Sequence, residues 1–470
     1  MTNSTPRATV AVVGGGLAGL AAGCALADTG FRVQLYERRP YLGGRASSYQ
    51  HPATGEVVDN CQHVLLGCCT NLIDFYRRIG VLDQIRWFDQ YLFVEPGGRQ
   101  STLKASSLPP PFHLAPSFLR SSALPSRDKA AIARAMMAIV TRLPSDDGQQ
   151  NFLDWLKLRG QTGDAIERFW KPVLVSALNE DLDRVSVYYG AQVFRESFLK
   201  SVEAGKIGLP TVPLTELYGA ADDYIRARSG EVHLRGAVDS FSPELDNVRL
   251  CVGGQEVTAD FAVLALPYQV TASVLPQTAE SEPIRNSVAA LQSSPITGIH
   301  LWFDRQITDL EYAVLLDRTI QWMFHKSKFL KRSEDATGSY VELVVSASKT
   351  LVDKSKNEIV ELAIRELHEF FPAAREAKVV KSTVIKEVHA SYSPVPGVDR
   401  LRPPNVTAWP RVFLSGDWTA TGWPATMEGA VRSGYLAAEA LARAAGQRRV
   451  SFLQPDLPAK GFMRFGSGSV

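Results

Sequence analysis

Cysteine is scarce in this chain and follows no pattern of a metal or disulfide site. The five cysteines, an odd number, are Cys24, Cys61, Cys68, Cys69 and Cys251. The sequence has no C-x-x-C pair and no cysteine–histidine spacing typical of zinc. We therefore expect no metal, a reduced cytoplasmic setting and mostly small buried thiols. Cys61 alone stays a candidate for a further role.

An excess of charge of one sign is also absent. The chain has 51 Lys and Arg residues against 49 Asp and Glu residues, a formal net charge of +2. This balance gives no electrostatic basis for binding nucleic acid. With 45% hydrophobic and 21% charged residues over 470 positions, the composition is that of a globular protein of two or three domains with an ample core.

Long apolar runs are absent with one exception, the uncharged stretch 8–27 that follows Arg7. A stretch of this length could be a signal peptide or a membrane anchor. Its glycines at 14–16 would weaken a membrane helix, and the chain continues into a second apolar strand that ends at Glu37. We therefore interpret the stretch as part of a folded domain.

A strand–helix–strand pattern fills this start of the chain. Val10–Val13 is a short run of β-forming residues, typical of a parallel strand buried on both faces. An Ala- and Leu-rich helix follows as far as Ala27, and Phe31–Tyr36 is a second apolar strand. The pattern predicts an α/β fold with a parallel sheet.

Three glycines in G-x-G-x-x-G order, Gly14, Gly16 and Gly19, connect the first strand to the helix. The first allows a sharp turn, the second leaves room for a pyrophosphate, and the third lets the helix approach the sheet. The helix N-terminus offers N–H groups and partial positive charge to the phosphates. Glu37 is placed to accept hydrogen bonds from ribose hydroxyls. The spacing therefore predicts a dinucleotide site.

Two later segments add to this predicted site. Gly43-Gly44-Arg45 combines a permissive backbone with a forked cation, which suits a phosphate or a ribityl group. Near the C-terminus, a predicted strand ends at Gly416-Asp417 and a helix begins near Met427. This second turn offers a carboxylate for sugar hydroxyls and further helix N–H groups.

A run of polar residues, Asp59-Asn60-Cys61-Gln62-His63, lies between the apolar pairs Val57–Val58 and Val64–Leu65. A surface turn would not explain the immediate return to apolar residues. We interpret the run as a loop that enters the interior beside a ligand. A single histidine is more often structural than catalytic, so both interpretations of His63 stay open.

The segment 106–125 is rich in proline and carries several Phe and Leu residues. It is too short and too broken by proline to span a membrane. It is either a packed linker or a loop that enters a lipid surface or gates an apolar tunnel.

The remaining pattern predicts the domain organisation. Residues from about 90 to 205 are expected to form a mostly helical block, with a helix over Ala165–Leu178 bent near Pro172. Val257–Leu266 is predicted as one buried strand that stops before a proline. The expected units are a discontinuous nucleotide-binding domain (1–90, 205–270 and 396–447), a substrate domain (91–204 and 271–395) and a flexible tail (448–470).

These motifs in this order resemble the flavin amine oxidase and phytoene desaturase superfamily over most of the chain. Four segments are more narrowly similar to the hydroxysqualene dehydroxylase family of bacterial hopanoid synthesis: YLGGRASS, VDNCQHVLLGCCTNLIDFYRRIG, PFHLAPSFL and GDWTATGWPATMEGAVRSGYLAAEAL. Glycine would be expected in that family at the position of Cys61. The resemblance implies a Rossmann-type FAD-binding domain of the glutathione-reductase kind with an inserted α+β substrate domain.

The resemblance also implies noncovalently bound FAD. Glu37 would bind the adenosine ribose, Val238 would meet the adenine through its backbone, and the Met427 N–H would face the isoalloxazine O2. Asp417 would bind the ribityl or pyrophosphate region. The full set of implied FAD residues is Gly14, Gly15, Gly16, Leu17, Ala18, Gly19, Glu37, Arg38, Gly43, Gly44, Arg45, Gln62, His63, Val238, Gly416, Asp417 and Met427.

The reaction implied by the resemblance is removal of the hydroxyl of hydroxysqualene, a long isoprenoid, to give squalene. Reduced flavin, reloaded by an external electron donor, would deliver hydride to an allylic carbon while an acid helps the hydroxide to leave. His63 and Asp59 are the candidates for proton delivery. Trp418 and Trp423 are candidates for pocket walls that face the developing cation, with core packing as the alternative.

Rival interpretations stay open. A phytoene-type desaturase or an amine oxidase would use the same fold to oxidise its substrate, and a prenyl-binding escort like the GDP dissociation inhibitors would share the fold without flavin. A plain NAD dehydrogenase gives no reason for the C-terminal motif. The expected location is the cytoplasm, and peripheral contact with the inner face of the cytoplasmic membrane is a further expectation.

Overall fold

The computed structural model describes residues 7–51, 55–146, 148–330 and 338–465. The strands of these ranges are β1 Thr9–Val13, β2 Arg32–Glu37, β3 Ser48–Gln50, β4 Val57–Asp59, β5 Leu65–Leu66, β6 Ile85–Phe88, β7 Gln90–Val94, β8 Gln100–Lys104, β9 Ile207–Pro210, β10 Glu231–Leu234, β11 Val238–Pro243, β12 Val248–Val252, β13 Gln255–Ala259, β14 Phe261–Leu264, β15 Ser293–Phe303, β16 Tyr312–Leu315, β17 Trp322–Phe324, β18 Ser339–Ser346, β19 Val379–Tyr392 and β20 Val412–Leu414. The α-helices are α1 Leu17–Asp28, α2 Thr70–Arg78, α3 Ala115–Arg120, α4 Ser126–Thr141, α5 Phe152–Leu158, α6 Gly163–Ala165, α7 Lys171–Leu178, α8 Val187–Phe194, α9 Leu214–Arg226, α10 Tyr268–Val274, α11 Glu282–Ala290, α12 Lys356–Phe370 and α13 Met427–Ala444.

A five-stranded parallel sheet in the order β10-β2-β1-β14-β20 organises the first part of the molecule. Its strands come from three distant segments of the chain, so the domain closes only when the whole chain has folded. Helix α1 is buried on all sides, as its Ala- and Leu-rich sequence predicts. A Cβ on Gly434 of α13 would lie 2.4 Å from the Ala18 carbonyl oxygen, so this glycine lets α13 pack directly on α1. The predicted α/β fold is confirmed.

The single strand predicted over Val257–Leu266 is wrong. The chain breaks at Asp260: β13 belongs to a three-stranded antiparallel sheet with β11 and β12, whereas β14 belongs to the parallel sheet. The Asp260 carboxylate accepts hydrogen bonds from the backbone N–H and the hydroxyl of Thr9, at 2.7 and 2.8 Å. The acid therefore fixes the start of β1 at the point where the two sheets part, a long-range contact that local pattern does not show.

A second sheet has seven strands in the order β19-β15-β18-β17-β16-β7-β8. Its β7 and β8 come from residues 90–104, so the block predicted as mostly helical begins instead with a hairpin. The hairpin joins the sheet because β7 pairs in parallel with β16, more than two hundred positions later. One face of this sheet is covered by α12, where alternate residues of β15 and β18 form a separate core, for example Ile299, Val341 and Leu343.

The helical block lies on the other side of the large sheet. Helix α4 begins at Ser126 and α5 spans Phe152–Leu158, both within the block predicted as mostly helical. The segment Ala165–Leu178 differs from the prediction, since a π-helical turn over Ile166–Trp170 interrupts it. Pro172 is the second residue of α7, directly after this π-helical turn, so the irregular turn lies where proline disturbs the α-helical hydrogen bonds.

The tail predicted as flexible over 448–470 is held against the protein as far as it is described. Phe452 is buried and its N–H donates to the Glu439 carboxylate at 2.7 Å. Further along, Met463 is only 1% exposed. The buried side chains of Phe452 and Met463 therefore fix a segment whose composition predicts flexibility. Residues 466–470, the end of that predicted tail, lie outside the described residues.

The segment 106–125 forms a surface that exposes apolar side chains. Leu108, Phe112 and Leu119 are exposed, and the Phe112 ring makes an edge contact with Phe462 of the tail, with ring centroids 6.0 Å apart. We call Leu108, Phe112, Leu119 and Phe462 the apolar patch. Within the ranges given above, none of the helices is long and apolar enough to cross a bilayer.

The docked tail leads to a matched pair of substitutions. Phe452→Ala removes a buried ring and should lower the free energy of unfolding by roughly 3 kcal/mol. Phe462→Ala removes a ring that is 58% exposed and should change it by less than about 0.5 kcal/mol. Denaturant unfolding measures both, and equal midpoints for the two variants would contradict the docking of the tail.

Candidate functional site

The three motif glycines differ in what they are needed for. Gly14 has φ +111°, and a Cβ there would lie 2.5 Å from the carbonyl oxygen of Ala265. A Cβ on Gly19 would lie 2.0 Å from the Gly14 carbonyl oxygen. Gly16 is different, because the nearest atom to its Cβ would be the Gly44 Cα at 3.8 Å. The protein itself does not require glycine at 16, so the space beside it suits a ligand.

The N-terminus of α1 opens onto this space. Gly16 is its N-cap residue and provides no side chain to cap it, so the first N–H groups of the helix, at Leu17–Gly19, are available to an anion. Glu37 is buried at the end of β2, and its carboxylate accepts hydrogen bonds from the N–H of Gly15 at 2.7 Å and of Arg39 at 2.8 Å. These bonds fix the acid beside the glycine loop, where the sequence places the ribose.

The Gly43-Gly44-Arg45 turn lies directly on the glycine loop. The Gly43 N–H donates to the Gly15 carbonyl at 2.9 Å, and both glycines of the turn have positive φ. Arg39 donates to the Gly44 carbonyl at 2.8 Å. Its neighbour Arg38, one of the predicted FAD residues, is exposed to solvent. The contact with the loop is therefore made by Arg39, which the sequence analysis did not name, while the contact of Arg38 with FAD stays a prediction.

Arg45 connects this turn to the C-terminal motif. Its guanidinium donates to the Asp417 carboxylate at 2.5 Å and to the Ala390 carbonyl at 3.0 Å. Gly416 precedes the acid with φ +154°, and a Cβ there would lie 2.4 Å from Nε1 of Trp418. The predicted residues Arg45 and Asp417, which are far apart in sequence, are thus brought together.

The other two predicted cofactor contacts lie at element starts. Met427 is the first residue of α13, and the Thr426 hydroxyl caps that helix by accepting from the Gly429 N–H at 3.0 Å. Val238 is the first residue of β11 and is half-buried. Val238 is therefore not part of the strand that begins at Glu231, because that strand ends at Leu234.

The polar loop 59–63 enters the interior, as predicted. Its Asn60 side chain donates to the Arg45 carbonyl at 2.7 Å. On the opposite side, a Cβ on Gly298 of β15 would lie 3.0 Å from the Asn60 carbonyl oxygen. The loop is therefore held between the Gly43-Gly44-Arg45 turn and the seven-stranded sheet. Cys61 is buried within it, and burial keeps the pKa of this thiol well above its usual value, so it is uncharged.

Asp59 is the acidic partner of a buried ion pair. Its carboxylate accepts from the Lys326 ammonium at 2.8 Å, from the Ser48 hydroxyl at 2.7 Å and from the Leu214 N–H at 3.1 Å. Burial acts to raise the pKa of Asp59, but the charge and hydrogen bond of Lys326 outweigh it and lower the pKa below its usual value. This pairing with Lys326 does not favour the predicted role of Asp59 in proton delivery.

His63 is also poorly suited to donate a proton. Its Nδ1 lies 2.7 Å from the Cys61 carbonyl oxygen, which only accepts, so Nδ1 carries the hydrogen. Burial lowers the pKa of His63 despite this bond, which leaves the ring neutral and Nε2 without a proton at pH 7. A neutral ring offers Nε2 as a hydrogen-bond acceptor, which does not favour the predicted role of His63 as the acid.

Two ionisable residues of the site were missed from the sequence. Lys326, after β17, is 1% exposed, and its ammonium lies 2.8 Å from Asp59, 2.7 Å from the Gln62 side-chain oxygen and 3.5 Å from Glu342. Burial disfavours its charge, but the two carboxylates raise the pKa of Lys326 overall. Glu342, on β18, is fully buried, and burial raises its pKa to about 7. We call Asp59, Lys326 and Glu342 the ionisable cluster.

A signal for both residues was present in the sequence. Lys326 follows the apolar strand Trp322–Phe324, and Glu342 interrupts the apolar strand SYVELVVS. A charged residue within an apolar strand is costly to bury unless it has a partner or a function. The partner, however, lies far away along the chain.

Aromatic residues continue the sheet face beyond the cluster. Strand register places Glu342 between His300 of β15 and Phe324 of β17. Phe324 stacks on Trp322 with centroids 5.5 Å apart, and Tyr312 of β16 is the register partner of Phe324. We call the surface formed with two further rings the aromatic wall; its residues are Phe88, Tyr312, Trp322, Phe324 and Phe329.

The tryptophans predicted as pocket walls lie elsewhere. Trp418 is fully buried and its Nε1 donates to the Leu266 carbonyl at 2.9 Å. Trp423 lies under the Arg432 guanidinium, at 5.3 Å from the ring centroid. Both therefore serve packing, the alternative given for them from the sequence.

We call the glycine loop 14–19, Glu37, the Gly43-Gly44-Arg45 turn, Asp417 and the N-terminus of α13 the cradle. These residues fit a flavin dinucleotide. The open space at Gly16 and the uncapped helix suit a pyrophosphate, Glu37 suits ribose hydroxyls, and Arg45 with Asp417 suits the polar chain beyond it. Among the described residues, no group of three His, Cys, Asp or Glu side chains is arranged to hold a metal ion.

The space at Gly16 gives a direct test. Gly16→Val should fold but lose the flavin, because the branched side chain would fill the pyrophosphate space. Gly219→Val is the matched control, since a Cβ there meets no atom within 4 Å and Gly219 lies on α9, away from the glycine loop. The ratio of flavin to protein absorbance after purification measures the outcome, and equal ratios for the two variants would contradict the assignment.

Comparison with known proteins agrees with this geometry. The chain is similar to a probable zeta-carotene desaturase of Synechococcus elongatus, 26% identical over 93% of this chain and 98% of that protein. It is also similar to a 15-cis-phytoene desaturase of the same organism, 27% identical over 92% and 95% of the two chains. Among solved structures, a putative protoporphyrinogen oxidase from Exiguobacterium sp. 255-15 has the same fold, with a TM-score of 0.66, 17% identity and coverage of 95% and 100%.

A family model extends the match over most of the chain. The model that describes flavin containing amine oxidoreductases matches residues 17–442, from the first residue of α1 almost to the end of α13. The match thus includes both helix N-termini of the cradle and the inserted substrate side. The chain therefore belongs to the family of flavin containing amine oxidoreductases, and it is an FAD-dependent oxidoreductase.

Proposed function

We propose that the protein reduces hydroxysqualene to squalene by removing its hydroxyl group. One observation carries the proposal: a buried ionisable cluster borders an aromatic wall on one sheet face. A long isoprenoid with a single hydroxyl needs both, an apolar surface for the hydrocarbon and a proton for the departing oxygen. The motif resemblance to the hydroxysqualene dehydroxylase family supports the same choice.

The chemistry defines what the chain must supply. Bound reduced FAD supplies a hydride equivalent, and an external electron donor reloads it. The overall change is an alcohol, a hydride and a proton giving a hydrocarbon and water. The protein must exclude bulk water, hold the allylic carbon near aromatic faces that tolerate positive charge, and provide the proton.

The aromatic wall meets the first two of these needs. Its rings are buried or half-buried, and Trp322 is held in place by a hydrogen bond from its Nε1 to the Ser176 hydroxyl of α7, at 2.7 Å. Tyr312 directs its hydroxyl to the Gln90 carbonyl, at 2.5 Å. Both polar tips are therefore occupied, and the ring surfaces that remain are apolar.

A second candidate is oxidation of a long polyene. The relatives at 26% and 27% identity over almost the whole chain carry the names of carotene and phytoene desaturases. An aromatic wall would suit such a hydrocarbon equally well. The ionisable cluster disfavours this candidate, because a hydrocarbon offers it no polar group in return for burying three charges or potential charges.

Product analysis separates the two candidates. Protein reduced in the absence of oxygen should convert hydroxysqualene to squalene while its flavin is reoxidised, as read by mass spectrometry and flavin absorbance. Oxidised protein with phytoene and a quinone should give no new conjugated product. Flavin-free Gly16→Val protein is the control. Unchanged hydroxysqualene together with desaturated phytoene would reverse the proposal.

We also propose peripheral contact of the apolar patch with the inner face of the cytoplasmic membrane. A substrate of this kind dissolves in lipid, and a few inserted side chains give weak, reversible binding. The segment that carries the patch also lines a small cavity, through His113 and Leu114 together with Tyr91 and Phe198.

Vesicle flotation tests the contact. The double variant Phe112→Asp/Leu119→Asp should lose flotation with vesicles of bacterial lipids, because two carboxylates would have to enter the interface. Leu245→Asp is the control, since Leu245 is 91% exposed on the turn between β11 and β12. Flotation that the double variant retains at the level of the control would leave the patch without this role.

A further inference from the structure

We propose that Glu342 is the acid that protonates the departing hydroxyl, and that Lys326 stabilises the carboxylate left behind. The inference rests on the proposed function and names a proton donor other than the two candidates that the sequence offered. It is argued from the burial of Glu342, its place on the sheet face and the groups around it.

Glu342 is a buried polar group without an ordinary partner. Its side chain has no solvent exposure, and neither carboxyl oxygen makes a short hydrogen bond among the described residues. The Gln62 N–H and the Lys326 ammonium approach it only loosely, and both act to lower its pKa. The Lys326 ammonium at 3.5 Å is a loose contact, because its short bonds go to Asp59 and Gln62. A buried polar group in this state is costly and calls for an explanation. A carboxyl that awaits the hydroxyl of a substrate provides one.

Glu342 also lies where a substrate hydroxyl would come. Along β18 its neighbours Val341 and Leu343 point to the core under α12, so its own side chain points to the opposite face. On that face its register partners are His300 on one side and Phe324 on the other. Glu342 is therefore the member of the cluster at the border of the aromatic wall.

The surrounding groups leave Glu342 as the proton source near neutral pH. Burial lowers the pKa of His300 to about 3, and burial also lowers the pKa of His63, so neither ring carries an extra proton. Burial keeps the pKa of Tyr340 well above its usual value, so this phenol keeps its proton. Asp59 has already given its proton up and is paired with Lys326.

The resting charges are consistent with a neutral Glu342. Lys326 and Asp59 cancel each other, so a charged Glu342 would add an uncompensated negative charge to a dry site. Burial raises its pKa to about 7, although Lys326 acts in the opposite direction. The same ammonium, shared between two carboxylates, becomes the partner of Glu342 once the proton has left.

The step balances in atoms and electrons. The carbon–oxygen bond breaks, the oxygen takes the Glu342 proton and leaves as water, and the carbon receives the hydride that the proposed function draws from reduced flavin. Glu342 remains as a carboxylate beside Lys326. It regains a proton from solvent when the site opens for the next substrate.

The first test needs no substrate. Infrared difference spectra of the oxidised holoenzyme between pH 5.5 and pH 8.5 should contain the carbonyl band of a buried carboxylic acid that disappears as pH rises through about 7. Glu342→Gln should abolish this band. Glu366→Gln should retain it, because Glu366 is equally buried but lies on α12, where it accepts from the N–H groups of Thr319 and Ile320. Absence of a titrating band in the wild type overturns the inference.

The pH dependence of folding stability is a second test, and the direction of the expected change follows from the pKa of Glu342. The folded pKa of Glu342 lies above its usual 4.5, so the wild type holds the proton more tightly when folded and loses stability as pH rises from 4.5 through 7. Glu342→Gln does not titrate. The unfolding midpoint of the variant minus that of the wild type should therefore increase between pH 5 and pH 8, whereas a difference independent of pH overturns the inference.

Single-turnover reoxidation of reduced flavin by hydroxysqualene tests the chemical role. Glu342→Gln should slow this step by about 10²–10⁴-fold, while Glu366→Gln should leave it unchanged. The wild-type rate should fall above pH 7. An analogue that leaves as a diphosphate needs no proton, so the Glu342→Gln defect should shrink with it.

The outcomes separate the two levels of the proposal. Normal turnover by the wild type with an unslowed Glu342→Gln variant overturns the role of Glu342 and leaves the proposed function in place. Equal slowing with both leaving groups also overturns it and makes Glu342 a residue that shapes the pocket. Failure of the wild type to act on hydroxysqualene, with the infrared band present, overturns the proposed function.

Discussion

The buried ion pair between Asp59 and Lys326 is the constraint on which the site depends. Asp59 ends a strand beside the nucleotide cradle, and Lys326 follows a strand of the seven-stranded sheet. Neither charge can be left alone in this interior, because removing one partner of a buried pair costs about 3–5 kcal/mol. The remaining bonds of Asp59, to Ser48 and to the start of α9 at Leu214, extend the same constraint to a third segment. One pair thus fixes how the cofactor side faces the substrate side.

The two sides of the molecule answer different chemical demands. The cradle is built from backbone: glycines with positive φ, helix N-termini and a carboxylate held by N–H groups. Backbone geometry of this kind depends on few side chains, which agrees with a family match over residues 17–442 and an identity of only 26% to a probable zeta-carotene desaturase. The substrate side is built from side chains, and there a few substitutions are enough to change the reaction.

The surface features have a physical connection to that substrate side. The docked tail brings Phe462 against Phe112, so residues that are far apart in the sequence form one apolar patch. The segment that carries the patch also contributes to the cavity beside Tyr91.

The sequence by itself determined the strand–helix–strand start, the glycine loop, the acid at Glu37 and the inward loop 59–63, because each depends on residues that are neighbours in the chain. Only the tertiary structure decided the break at Asp260, the docking of the tail, and the burial of Lys326 and Glu342 beside Asp59. A carboxylate has the same local sequence signal whether it gives up a proton early or keeps it to neutral pH. Its pKa is set by burial and by charges from distant segments, and these are fixed only when the chain has folded.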